Sequence, residues 1–287
     1  MTPRERANLP ESVHQRLLNR ARQENRPLQE LLQYFAVERF LFRLGRSPHA
    51  EKLLLKGALM LRLWDSPLAR PTRDVDFLGR LAVSEPTLAT IVKQCFAADV
   101  PEDGLRLDTG SVRTEAIRLA ARYEGIRVRF TLHLGKIRLP MQVYVGFGDA
   151  VIPGPTWVEF PPLLDFPAPR VLAYPPESAV AEKFQTMVER DAANSRMKDF
   201  YDIWTLARRR GFAGDVLTRA ITAAFERRRT PLPIAPPLAL TAEFVATYDV
   251  TSDPENAQFH ADQYGTNLEA DVFRKNDARR ERLDGRL

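Results

Sequence analysis

The chain has 287 residues, 44% hydrophobic and 28% charged, with a formal net charge of +5 and a single cysteine. That length supports a real core and one or two domains; the lone Cys95 excludes an internal disulfide and fits a reducing cytoplasm, and the scattered His14, His49, His133 and His260 give no zinc spacing. A sequence pI near 9.5 fits a polyanionic partner without demanding one, the polar N-terminus lacks the apolar core of a signal peptide, and no stretch reaches bilayer-spanning length, so no membrane association is expected.

The first 64 residues read as helices. Ser12 through Arg22, Leu28 through Leu44 and Ala50 through Trp64 carry apolar residues at three- and four-residue spacing, with Leu32, Phe35, Ala36, Phe40 and Phe42 expected in the core. Arg73-Asp74-Val75-Asp76-Phe77 then reads as a strand. Glu85 to Ala98 is a helix turning Ile91, Cys95 and Phe96 inward. Glu115 to Tyr123 and Ile126 to Leu134 read as a hairpin turning at Glu124-Gly125. Its second strand alternates Ile126, Val128, Phe130, Leu132 and Leu134 with Arg127, Arg129, Thr131 and His133. The second set is either an ordinary solvated sheet face or a basic surface for RNA. Met141 to Phe147 is the next strand, ending in Gly148-Asp149.

A proline-dense run, 153–176, reads as an extended connector, since proline is excluded from helix interiors and central strands. Helices follow at Glu177 to Val188, Met197 to Arg209 and Val216 to Arg229, the last ending in cations where the helix dipole favours them. Four regions result: residues 1–152 with the N-terminal helices and a sheet core, the connector 153–176, a helical part 177–229, and a linker with a polar basic tail, 230–287. The tail holds Arg274, Lys275, Arg279, Arg280, Arg282 and Arg286; a fraying helix, a disordered end and an RNA-contacting arm all fit it.

Asp74 and Asp76 carry the chemistry most directly. Alternate residues of a strand share a face, so the two carboxylates point the same way and repel unless a cation joins them. Hard oxygen pairs of this kind suit Mg²⁺, which keeps waters and substrate phosphates as its other ligands. The other reading is an exposed strand with an acidic outer face. Upstream, Lys56-Gly57-Ala58 interrupts an apolar segment with a glycine that would let backbone amides approach a phosphate, and Arg70, Thr72 and Arg73 are polyanion-friendly neighbours.

In these residues the chain resembles the DNA polymerase β-like nucleotidyltransferase superfamily and, more closely, the AbiEii/AbiGii toxin family. The matching residues are Lys56-Gly57-Ala58, Arg70 to Asp76, Val145-Gly146-Phe147-Gly148-Asp149, Ala181-Glu182-Lys183, and Asn194 to Asp202. The resemblance implies an α+β fold: a mixed-sheet nucleotidyltransferase core with N-terminal helices and a helical C-terminal half. It implies a toxin of a bacterial toxin–antitoxin system that transfers NMP from an NTP to an RNA acceptor, the tRNA 3′ end, blocking translation. The cofactor is then Mg²⁺ and the partners an NTP, a tRNA or other RNA, and a winged-helix antitoxin. Other classes stay open: a nucleotidyltransferase acting on a protein or small molecule, and a catalytically weakened relative that binds RNA or a partner.

By the same resemblance Asp74 and Asp76 are catalytic metal ligands, and Lys183 is a catalytic lysine contacting the triphosphate. Pattern alone would let Lys183, at the edge of a stripe of Val180, Phe184, Met187 and Val188, extend to solvent. Asp199 is carried over as the essential aspartate that orients the lysine or the substrate, with Asp202 as its helix-face neighbour. Phe200, Ile203, Trp204 and Ala207 are expected on the packed side of that helix. Lys56, Gly57, Ala58, Arg62, Arg73, Ser195, Arg196 and Asp202 are the expected nucleotide-binding residues. Two departures stand out. Ala58 removes a hydroxyl contact, which then falls to the backbone or Arg62. Tyr144 stands where many related sequences carry a third aspartate, and a neutral phenol is a poor base and a weak metal ligand. Asp149, past the strand end, has the opposite nominal parity, and its substitution for that aspartate stays open.

Overall fold

The computed structural model describes residues 3–64, 74–80, 84–118, 124–191, 194 and 196–241. Arg70, Pro71, Thr72, Arg73, Ser195 and the basic tail from 242 onward lie outside the described residues. The chain divides into two compact units, Met1–Glu182 with Thr205–Leu232, and Lys183–Trp204 with Pro233–Leu287.

The first unit is built on a seven-stranded mixed sheet among the described residues. The elements run α1 (Pro3–Glu24), α2 (Leu28–Arg46), β1 (Leu53–Lys56), a 3₁₀ turn (Gly57–Leu59), α3 (Met60–Leu63), β2 (Asp74–Gly79), α4 (Glu85–Ala97), β3 (Leu105–Arg118), β4 (Glu124–Leu134), β5 (Ile137–Phe147), β6 (Thr156–Glu159), β7 (Arg170–Ala173), α5 (Pro176–Arg190), α6 (Met197–Arg209) and α7 (Gly214–Arg228). The strand order is β3-β4-β5-β2-β1-β7-β6. β2 runs parallel to β5 and β1 parallel to β7, and the other neighbours are antiparallel. The fold class is therefore α+β, as expected.

One face of the sheet is covered. Val128, Phe130, Leu132 and Leu134 of β4 are buried, and Phe130 packs on Phe40 of α2 and Phe96 of α4 at centroid distances of 5.6 and 6.3 Å. Phe40 also meets Phe77 of β2 edge-on. α2 is buried from Leu31 through Leu44, polar residues included. Its Glu38 and Arg39 pair with each other at 2.6 Å, accept from the Leu163 amide and donate to the Pro167 carbonyl, which fixes the 160–167 segment against the helix. The other face of β4 carries Arg127, Arg129, Thr131 and His133.

Three local expectations need correction. Ala50 through Trp64 is not one helix: Leu53, Leu54 and Leu55 form the inner strand β1, nearly fully buried, and helical geometry begins only after Gly57. A strand hydrophobic on both faces shows no alternation, and leucine suits helices well, so the pattern misleads. Glu124-Gly125 is not the hairpin turn; Arg118 pairs with Glu124 and Ile117 with Gly125, so both residues lie within β4. A separate tight turn, Gly135-Lys136, joins β4 to β5, with Gly135 at φ +59°. Finally, the proline-dense stretch contributes two short strands, neither containing a proline, of which β7 pairs with β1.

Candidate active site

Asp74 and Asp76 occupy alternate positions of β2 on the face opposite Phe77. The parallel register sets Asp74 beside Gln142 and Asp76 beside Tyr144. The antiparallel register then sets Arg129 beside Gln142 and Arg127 beside Tyr144. Two rows of side chains thus cross the sheet, and hydrogen bonds follow them. The Gln142 amide donates to Asp74 Oδ1 at 3.1 Å and to the Tyr144 hydroxyl at 3.0 Å. Arg127 Nε donates to the same hydroxyl at 2.8 Å, with its guanidinium 4.8 Å from the Tyr144 ring centre. Arg129 Nε donates to Gln142 Oε1 at 3.1 Å. Tyr144 thus stands on the carboxylate face, directly beside Asp76, held by two donors.

Gly57 explains the glycine motif. Its φ is +76°, and a Cβ there would collide with Asp76 Oδ2. The turn therefore packs its backbone against the carboxylate, a contact only glycine permits. Ala58 is buried beneath the turn. Arg62 extends away, its guanidinium 4.2 Å from the ring centre of Tyr34 in α2.

The lysine of that motif is held by two carboxylates. Lys56 Nζ donates to Asp149 Oδ2 at 2.7 Å and to Glu182 Oε2 at 3.0 Å, above the Tyr174 ring. Arg228 of α7 stands 3.6 and 3.7 Å from the same two carboxylates. Arg227 donates to the Gly148 carbonyl, where φ is +81°. Burial pushes the Glu182 carboxyl above its ordinary range, against the pull of Lys56. Three of the matched motifs, through Lys56, Asp149 and Glu182, thus close one buried ion cluster. Asp149 and Glu182 had no assigned role from sequence; the available signal was that charges in otherwise apolar motifs need partners.

In the second unit, Lys183 donates to Asp199 Oδ1 and Asp202 Oδ2, both at 2.7 Å. Arg196 Nε donates to Asp199 Oδ2 at 2.6 Å, and the Arg196 amide is held by Asn194 Oδ1. The lysine does not extend to solvent. Burial alone would lower its pKa, but Asp202 and Asp199 outweigh it and raise it. Burial likewise opposes ionisation of Asp199, and Lys183 with Arg196 reverses that, holding the carboxyl well below the usual range. The packed side of α6 is a correction: Asp199, Asp202, Thr205 and Leu206 are buried, whereas Trp204 is 55% exposed. A lysine that neutralises the acids lets the polar stripe turn inward.

The model of the AbiEii nucleotidyl transferase toxin family, of type IV toxin–antitoxin systems, matches residues 39–275. The chain belongs to this family. With membership come nucleotidyl transfer, a nucleotide substrate and an antitoxin partner. Among solved structures, JHP933 from Helicobacter pylori is 16% identical, with a TM-score of 0.44 over 88% of this chain and 98% of that one. A second H. pylori structure is 17% identical, with a TM-score of 0.44 over 84% and 96%. No curated protein matches. Among the described residues no helix is long and apolar enough to cross a membrane, and no group of three or more His, Cys, Asp or Glu is arranged to hold a metal.

Proposed function

We propose that this toxin transfers NMP from an NTP to the 3′ end of a tRNA, and that Asp74 and Asp76 hold the Mg²⁺ the reaction uses. The observation that carries the reading is the carboxylate pair itself: two acids on one strand face, backed by the Gly57 turn and flanked by neutral Gln142 and Tyr144. One or two carboxylates with room for phosphates is the donor set Mg²⁺ takes at nucleotide sites, so the residues fit the ion. The bound ion supplies charge neutralisation and in-line positioning for a phosphoryl centre. The protein's own share is electrostatic. An ammonium has three donors, and Lys183 spends two on Asp199 and Asp202. The third is the one a triphosphate oxygen takes, with Asp199 as the group that orients the lysine and Asp202 as the second carboxylate holding it. Arg196 and Ser195 assist the nucleotide, as does Arg73. Blocking the tRNA 3′ end would stop aminoacylation, and a winged-helix antitoxin in the same cytoplasm would restrain it.

Incubation with each labelled NTP and total tRNA, with and without Mg²⁺, tests the reading. Label at tRNA 3′ ends in Mg²⁺ alone supports it, and label on protein instead would replace the acceptor. A weakened enzyme is the second reading, favoured by one observation: Tyr144, not a carboxylate, stands beside Asp76 and is already bound by Arg127.

A further inference from the structure

We propose that the exposed arginine face of β4 and its neighbouring strands is the track along which the acceptor RNA backbone runs to Asp74 and Asp76; the inference rests on the RNA-acceptor reading above. The register puts the acids and the arginines on one continuous face. Asp76, Tyr144 and Arg127 form one row, and Asp74, Gln142 and Arg129 the next. Further along β4, His133 is flanked by Arg138 of β5 and Arg106 of β3. From Arg127 to His133 is six residues, a path of roughly 20 Å at the strand rise. That length suits several nucleotides of a single-stranded end.

Charge and exposure agree with a polyanion. Arg106, Arg129 and Arg138 are exposed, while the opposite face of the same strand is core. Arg106 and Arg138 therefore support no packing that would explain them, whereas Arg129 also holds Gln142. Besides Asp74 and Asp76, two acids share the face, and neither opposes the track strongly. Glu115 lies 3.4 Å from Arg127 and 3.5 Å from Arg129, its side chain 56% exposed, and exposed pairs of this kind contribute little and exchange readily for phosphate. Asp108 Oδ1 is taken up by the Gly110 amide within β3. A basic surface that tracks a backbone and ends at a reactive centre is the design of sequence-tolerant single-strand binding. It would hold the acceptor by phosphates and leave its terminal hydroxyl at the carboxylates.

The test is the full-length Arg106→Gln, Arg138→Gln double variant, with Arg106→Glu as an independent probe of the same face. Fluorescence anisotropy with tRNA reads binding across a salt series, and transfer assays read KM for RNA and for NTP separately. The double variant should bind tRNA about fivefold or more weaker, with the salt slope reduced by about 1.5. KM for RNA should rise in step, while KM for NTP and kcat at saturating RNA stay within about twofold. Arg106→Glu should weaken RNA binding in the same direction. Unchanged RNA binding and KM in both variants, with transfer intact, would overturn the track and leave the RNA-acceptor reading standing. Loss confined to NTP KM would assign the arginines to the nucleotide instead and overturn it too. A parent protein that neither binds nor labels RNA would end both.

Discussion

Replacing Lys183 by methionine should destabilise the protein through charge rather than shape. The side chain is 15% exposed, while Asp199 and Asp202 are 2% and 0% exposed, and each carboxylate receives a hydrogen bond from this ammonium at 2.7 Å. The four charges, Lys183 and Arg196 against Asp199 and Asp202, sum to zero. Lys183→Met leaves a net negative charge, with only the 42%-exposed Arg196 still bound to Asp199. Breaking a buried pair in this way costs about 3–5 kcal/mol. At a urea m-value of about 1.5–3 kcal/mol/M, the unfolding midpoint should fall by roughly 1–3 M. Asp202→Asn should cost less, about 1–3 kcal/mol, because a buried acceptor is altered rather than a counter-charge stranded. The double variant restores neutrality and should be more stable than the sum of the singles implies, by about 1–2 kcal/mol. Urea unfolding at pH 7 followed by circular dichroism measures all three. A Lys183→Met cost below about 1 kcal/mol, or strict additivity, would refute the idea that these residues form one neutral buried cluster.

Gly57→Ala should lower Tm by about 3–6 °C, the strain of a positive φ together with the displaced Asp76 carboxylate, and should reduce transfer at temperatures where the variant is fully folded; a calorimetric scan with a rate assay checks both. Tyr144→Asp should raise turnover at limiting Mg²⁺ by adding a third carboxylate beside Asp76, and a Mg²⁺ titration without any change would remove Tyr144 from the chemistry. The pH dependence has a definite sign. Asp199 has a folded pKa below its unfolded value, so its contribution is present above the ordinary aspartate range near 4 and is lost as pH falls through the folded value. Acid titration of stability should therefore show a limb below about pH 4 that Asp199→Asn lacks, and identical limbs would contradict the pairing.

Much of the fold was legible where one face of an element is apolar. α4, α5, α6 and α7 fall within a few residues of their expected bounds, because each carries helical apolar spacing and a terminal signal such as the Ser84 cap of α4. β1 was not legible, because three consecutive leucines buried on both faces erase the period that separates strand from helix. The shared face of Asp74 and Asp76 followed from strand alternation alone, and so did the position of Tyr144 on it. What local reading could not supply was pairing across the chain. Lys56 meets Asp149 and Glu182 across 93 and 126 residues, a pairing beside the Gly57 turn that no local pattern announces. The packed side of α6 failed for the same reason. Hydropathy sends Trp204 inward and Asp202 outward, and only the Lys183 counter-charge from another helix reverses the order.

The most direct measurement is the rate of NMP transfer to tRNA by Asp74→Asn and Asp76→Asn against the parent, each across a Mg²⁺ titration and with unfolding curves recorded alongside. The account predicts that either substitution lowers transfer by at least about a hundredfold while the protein stays folded, and that raising Mg²⁺ recovers part of the loss. Parental rates in both variants at every Mg²⁺ concentration would contradict it.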